Sequence, residues 1–340
     1  MKTKLKIIII ICIALVVILL GIALGSVYIP PADIFTVIRC KILNLELPEH
    51  IKPASAAIVW NLRFPRTLLA FAVGGALSVS GAVMQSVLRN PLASSYTLGV
   101  SSGASFGACI VFLYGIAIPF APMITLPLAG FSFGLGTIIL AIAFASRLDG
   151  KMENNTIILT GMVFSLFINA VTTLMSALSR EHTQRLIFWQ MGSFSMKDWS
   201  PVFILFPVVL AGTVFIAHYN RELDIMTFGE EQAQTMGVNL KGIKWILLTV
   251  SAALTGSAIA FAGIIGFVDL VAPHIVRRIF GSSHRLVIPM SAVLGGAFMV
   301  VCDFAARTVV SPSELPVGAV TAIIGAPFFA YIYFGRKKKC

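Results

Sequence analysis

Residues 245–276 read WILLTVSAALTGSAIAFAGIIGFVDLVAPHIV. As one continuous helix this stretch would reach about 48 Å, well beyond the roughly 30 Å of a hydrocarbon core. It holds Gly263 and Gly266, where a helix can end. Lys241 and Lys244 precede it, and Arg277, Arg278 and Arg285 follow it. Basic clusters collect on the cytoplasmic side of a membrane. With both clusters there, the chain must cross outward and return, and a full helix followed by a short one over about 268–276 satisfies that.

The same reading extends to the whole chain. Charge-free stretches run 7–27, 67–88, 91–146, 154–179, 199–220, 245–268, 286–302 and 315–335. The stretch 91–146 is too long for one crossing and carries Pro119, Pro122 and Pro127, which predict two helices joined by a turn near 115–122. Together with the return over 268–276, the sequence predicts an all-α polytopic membrane protein. It has ten transmembrane helices, one domain over 1–340, and both termini on the cytoplasmic side. The composition agrees: 58% of the 340 residues are hydrophobic and 11% are charged, against about 25% charged in soluble proteins. That excludes an ordinary soluble enzyme, and it leaves the net charge of +11 no polar surface on which to bind nucleic acid. Sixteen of the 25 Lys and Arg fall in the predicted inner segments, ending in the tail 336–340; the nine outside are Arg39, Lys41, Lys52, Arg63, Arg66, Arg180, Arg185, Lys197 and Arg307. The apolar run Ile7–Val27 exceeds the usual signal-peptide core of about 7–15 residues and reads as an uncleaved first span.

Motifs for covalent chemistry are scarce. There is no GxxxxGK[ST] phosphate loop, so ATP would have to be used by another chain. There is no HExxH, and the five histidines, His50, His182, His218, His274 and His284, have no metal-ligand spacing. No metal site and no bound cofactor are expected. The five cysteines are scattered without a CxxC pair. Gly99–Gly103 matches GxSxG, but that elbow requires a strand-turn-helix. Here it opens a membrane helix and belongs to a small-residue seam, Gly99, Gly103 and Gly107, with Gly130 and Gly134 forming another. The longest inner loop, 220–244, predicts a short helix starting at Thr227 or Gly229, with Glu230 and Glu231 at its positive end and Gly237 or Asn239 closing it. Such a helix is more than a connector and suits docking of a soluble partner.

At this loop a family resemblance emerges. Leu62–Arg66, Gly81–Gln85, Arg89–Ala93, Leu98–Ala104, Gly229–Ala233, Gly237–Asn239, Gly263–Val268, Ala272–Arg278, Leu315–Gly318 and Gly325–Phe329 together resemble, in order and spacing, the permease subunits of the iron-siderophore, haem and vitamin B12 class of ABC importers. The resemblance implies a homodimeric or heterodimeric permease in the bacterial cytoplasmic membrane. It also implies two cytoplasmic ATPase subunits that use ATP and Mg, and an extracytoplasmic substrate-binding protein. It makes 227–240 the coupling-helix pair, with Gly229, Glu230, Glu231, Ala233 and Gly237 as its signature. It gives Arg63, Arg66 and Arg307 the role of meeting acidic residues of the binding protein, and it places a cytoplasmic gate near Asn154, Asn155 and Thr156. Most members of the class carry iron-siderophore chelates, which is the cargo expected here; haem and cobalamin remain open.

Three residue-level expectations complete the reading. Ser165, Asn169, Thr172 or Thr173, and Ser176 recur at helical spacing on helix 154–179, a polar face for a pathway wall or a partner helix. Asp303 is one turn from Arg307 and suited to pair with it. Asp269 stands where the resembling family has glycine, in reach of a pairing with Arg277 or Arg278 or of a functional role. An intramembrane serine protease built on Ser101 or Ser102 with His274, and an ion-coupled secondary transporter, are the alternatives from other classes.

Overall fold

In a computed structural model of the chain, residues 3–25, 29–178 and 180–334 are described; the tail 336–340, including Cys340, lies outside them. Fifteen α-helices account for most of it. The first half holds α1 (Thr3–Ala23), α2 (Pro31–Ile42), α3 (Pro53–Ala57), α4 (Phe64–Val87), α5 (Val100–Tyr114), α6 (Pro122–Leu148) and α7 (Asn154–Leu178). The second half holds α8 (Arg180–Gln190), α9 (Trp199–His218), α10 (Asn220–Met226), α11 (Glu230–Thr235), α12 (Leu240–Ala262), α13 (Val268–Phe280), α14 (His284–Thr308) and α15 (Val317–Phe334). A π-helical segment, Ile58–Arg63, joins α3 to α4. Among the described residues, seven helices, with Pro53–Val87 taken as one, are long and apolar enough to cross a membrane, and α5 and α15 are shorter apolar helices.

The stretch 245–276 divides as its glycines predict. Gly263, at φ 77°, closes α12, a backbone conformation that costs glycine little. The chain restarts as α13 after Phe267, itself left-handed at φ 70°. The stretch 91–146 likewise gives α5 and α6, with Gly115 at φ 60° ending α5. Pro127 lies inside α6 without ending it, because only the pair Pro119 and Pro122 falls where the chain turns. The helices α2 and α8, outside the long spans, were not foreseen, nor was the start of the span Pro53–Val87 at α3.

At the centre is the helix running from Pro53 to Val87, whose most apolar window is 89% buried. It packs against α1, α9, α12, α13 and α14. Small residues permit the approach. A side chain at Gly81 would run into the carbonyl of Asp269, which fixes how tightly α4 and α13 meet. The predicted seams meet in part: a Cβ at Gly107 would lie 2.7 Å from the Ala129 carbonyl and one at Gly134 2.9 Å from that of Val100, whereas Gly130 faces Trp189 and Ala260 instead. Backbone contact of this kind is how helices gain dispersion energy in lipid, where no hydrophobic drive exists between them. By contrast α7 exposes Leu159, Met162, Val163, Leu166, Phe167, Leu174 and Leu178, an apolar surface that needs lipid or another chain to cover it.

Candidate functional site: a short-helix end and an arginine end

The polar residues gather at the two ends of the bundle. One end carries α10 and α11. There the loop folds into two short helices rather than one, and the first of the pair, Asn220–Met226, precedes the predicted segment 227–240. Gly229 sits between them at φ 135°, with Glu230 and Glu231 in the first turn of α11. Ala233 is buried, whereas Glu231 and Gly237 are exposed. Asn239 does not close α11; its side chain caps α12 instead, accepting from the Gly242 N–H at 3.1 Å, because the following apolar run needs an N-cap. Two apolar side chains that composition did not single out project here: Phe228 is 72% and Met236 64% exposed.

Both short helices are tied into the bundle. On α10, Asp224 accepts from the His284 backbone N–H at 2.8 Å and faces its ring Nδ1 at 2.6 Å. The other ring nitrogen lies 2.6 Å from Ser86 Oγ on α4. Arg277 of α13 donates to the Ala82 carbonyl at 3.0 Å and to Ser86 Oγ at 3.1 Å, and also to Gln85. Gln85 in turn donates to the Asp269 carbonyl at 3.1 Å. Glu230, expected as a docking residue, faces inward instead: its carboxylate is 2.9 Å from Lys244 Nζ. Lys244 is fully buried and also donates to the Met152 carbonyl at 2.6 Å. A buried ammonium without partners costs far more than a bond returns, so α11, α12 and the turn between α6 and α7 are bound through this one side chain. Lys6 joins the same end, donating from α1 to the Ile279 carbonyl at 2.7 Å.

Asp269 does not pair with Arg277 or Arg278. Arg277 is occupied by Gln85, Ala82 and Ser86, and the buried Asp269 carboxylate takes the Ser94 hydroxyl instead. Asp149, in the α6–α7 turn, accepts from the Lys151 and Glu153 N–H groups at 3.0 and 2.7 Å, and these bonds hold its carboxyl below the usual carboxylate range. The turn leads into Asn154, whose side-chain oxygen is buried without a hydrogen-bond partner, then into the exposed Asn155 and half-buried Thr156. Further along α7 the predicted polar face separates into two. Thr172 is buried and donates to the Ile168 carbonyl, and Ser176 donates to that of Thr172. Ser165 Oγ is buried without a partner. Only Asn169 and Thr173 stand exposed. These residues do share one face, a sector of about 100°, but neighbouring elements cover the edge carrying Ser165, Thr172 and Ser176 and leave Asn169 and Thr173 open.

The other end holds Arg63, Arg66 and Arg307, the arginines expected outside, and they turn inward. Arg66 is 9% and Asp303 1% exposed. The guanidinium meets the Asp303 carboxylate at 2.8 Å and that of Glu314 at 2.7 Å, a double fork suited to arginine. Arg307 does face Asp303 one turn away, but at 3.7 Å, and it donates to the Gly21 carbonyl. Arg63 donates to the Ala23 carbonyl at 2.8 Å. Sequence reasoning paired Asp303 with its helical neighbour; the stronger partner is 237 residues away, beyond any local signal, and Glu314 was not anticipated. Burial alone would raise the Glu314 carboxyl, but its bonds and charge contact with Arg66 outweigh this and hold it below the ordinary value of 4.5.

The GxSxG segment forms the start of α5, with no strand before it, and His274 packs its ring against Phe329 at 6.2 Å between centroids. The nucleophile elbow is therefore absent from this segment, because that motif requires a strand entering the turn.

The sequence model of the FecCD transport family matches residues 12–335. This chain belongs to the FecCD transport family. A permease of the FecCD family is a transport subunit of an ABC system, and several relatives are named for what they carry. The chain is 41% identical to the uncharacterized ABC transporter permease protein YvrB of Bacillus subtilis, over 93% of this chain and 89% of that one. It is 36% identical to the cobalamin import system permease BtuC of Halobacterium salinarum, over 90% and 80% of the two chains. It is also 36% identical to the Fe(3+)-citrate import permease YfmD of B. subtilis, over 81% and 80%. A metal-chelate type ABC transporter solved in an inward-facing conformation superposes with a TM-score of 0.82 at 27% identity, covering 96% of this chain and 97% of that one. As a FecCD permease, the chain is a multi-pass membrane protein, which the long apolar helices match.

Proposed function

We propose that this FecCD permease forms the membrane pathway of an ATP-driven importer for an iron-siderophore chelate, working as a dimer with two ATPase subunits and an extracytoplasmic binding protein. The observation that carries the coupling part is the α10–α11 end. Two short helices present Phe228, Glu231 and Met236 outward, while Ala233, Glu230 and Asp224 hold them to the bundle. An exposed apolar pair rimmed by charge is what a protein interface uses as an anchor. On this reading the end is cytoplasmic, and the partner ATPase alone uses ATP and Mg. The seven long helices, the shorter α5 and α15 and the returning α13 make ten crossings, with both termini on the cytoplasmic side. ATP binding moves α10 and α11, and the bundles rock about a path lined from α7 by Asn169 and Thr173. Asn154, Asn155 and Thr156 form the inner gate. At the opposite end, Arg63, Arg66 and Arg307 keep a docking role only as a group already engaged within the bundle, Arg66 and Arg307 with carboxylates and Arg63 with the Ala23 carbonyl. The binding protein's carboxylates then meet a buttressed rim, and most of their effect falls on docking rate.

The cargo is tested by reconstituting the permease with its ATPase and binding protein in lipid vesicles. The vesicles are then offered ferric hydroxamate, ferric citrate, haem and cobalamin in turn. Stimulated ATP turnover and uptake with a ferric siderophore fit the proposal. Stimulation by haem or cobalamin alone overturns the cargo but keeps the importer, and uptake that proceeds without any ATPase overturns both.

A further inference from the structure

Glu230 and Glu231 are adjacent, yet they have opposite fates. Glu231 is exposed, while Glu230 reaches the buried ammonium of Lys244 at 2.9 Å. The same ammonium holds the Met152 carbonyl at 2.6 Å. We propose that Lys244 is a positioning residue, a strut that carries movement of α11 to the gate at Asn154–Thr156. The inference rests on the reading of α11 as the ATPase-docking helix and of those residues as the gate.

Three features make the strut stiff. Lys244 has no exposed surface, so water does not compete with either acceptor while α11 and the turn stay packed. Met152 adopts φ 53° with its side chain fully buried. A non-glycine residue keeps that costly conformation only where its surroundings impose it, and the Lys244 contact on its carbonyl is one such restraint. Asp149 ties the Lys151 and Glu153 N–H groups, so the turn moves as one body rather than absorbing a push. The next residue, Asn154, keeps a buried side-chain oxygen without a partner. A buried acceptor left unsatisfied favours any second arrangement that supplies a donor. The strut therefore ends where a second state has something to gain.

The experiment uses Asn155→Cys in a chain whose native cysteines are replaced, purified with its ATPase in lipid nanodiscs. Labelling by a maleimide reports gate exposure, with and without Mg–ATP and vanadate. In the parent, labelling rate responds to nucleotide. In Lys244→Met that response shrinks about fivefold or more, in the range of an inter-site coupling. The ATPase still co-purifies, because Phe228, Glu231 and Met236 are untouched. Glu230→Gln, which keeps shape and an acceptor but removes the counter-charge, shrinks the response by about half or more, since the buried ammonium is left without its ion-pair partner. The Lys244→Met, Glu230→Gln pair loses no more than Lys244→Met alone. A Lys244→Met response within about twofold of the parent overturns the strut. Should Lys244→Met fail to fold, an unchanged response in Glu230→Gln overturns it equally. Absence of a co-purifying ATPase with the parent, or a parent response of zero, overturns the docking-and-gate reading and the strut with it.

Discussion

Replacing Asp303 with asparagine tests the arginine end most directly. Asp303 is 1% exposed and accepts three hydrogen bonds from Arg66, at 3.0, 3.2 and 2.8 Å. Removing one member of a buried ion pair costs about 3–5 kcal/mol, because the remaining charge stays buried. Arg66 retains Glu314 at 2.7 Å, and asparagine keeps one acceptor oxygen, so the expected loss lies at the lower edge, about 3 kcal/mol. At about 2–4 °C per kcal/mol, as for chains of some 150–250 residues, that is a fall of about 6 °C or more in Tm. The assay is thermal unfolding of the purified permease in mild detergent, followed by loss of the monodisperse chromatographic peak. Arg66→Met separates the contributions. It leaves Asp303 with Arg307 at 3.7 Å, and combined with Asp303→Asn it should destabilise less than the sum of the two single changes. A melting point within about 1 °C of the wild type for Asp303→Asn, or strict additivity in the cycle, would refute the buried-clamp argument and return these arginines to a free docking surface. The same geometry warns against reading Arg66→Glu as a pure docking variant. It would set three carboxylates together, and a loss of binding-protein capture could then follow from damage to the fold.

Three further outcomes follow from the structure. Phe228→Ser with Met236→Ser should weaken ATPase co-purification about tenfold or more, as expected for anchor residues, while Tm stays close to the wild type because both side chains are exposed; unchanged co-purification counts against the anchor. The Glu314 carboxyl is held below 4.5, so its contribution is fully present above that value and fades as pH falls through the folded value. Wild-type Tm should therefore drop more steeply below about pH 4.5 than that of Glu314→Gln, and parallel curves would contradict the pairing. Gly81→Ala places a methyl against the Asp269 carbonyl, and forcing α4 and α13 apart should cost about 2 kcal/mol or more; a variant as stable as the wild type would show that the seam yields.

The sequence by itself determined the elements that depend on local chemistry. Charge-free runs marked the spans, because lipid tolerates no unpaired charge over a helix length. Gly263 and the Pro119–Pro122 pair marked the breaks, because backbone restrictions act within a few residues. The Gly103–Gly107 and Gly134 seams were legible as packing faces for the same reason. The motifs were enough to indicate the FecCD family. Only the tertiary structure decided where the charges went. Glu230 and Glu231 are indistinguishable in sequence, yet one is an internal strut contact and the other a surface group. Asp303 chose Arg66 over its own helical neighbour, and Lys244, read as a flanking anchor, proved to be buried beneath the α6–α7 turn. A charged group in a low-dielectric interior takes whichever partner lies nearest in space, and helices that are far apart along the chain supply most of those partners.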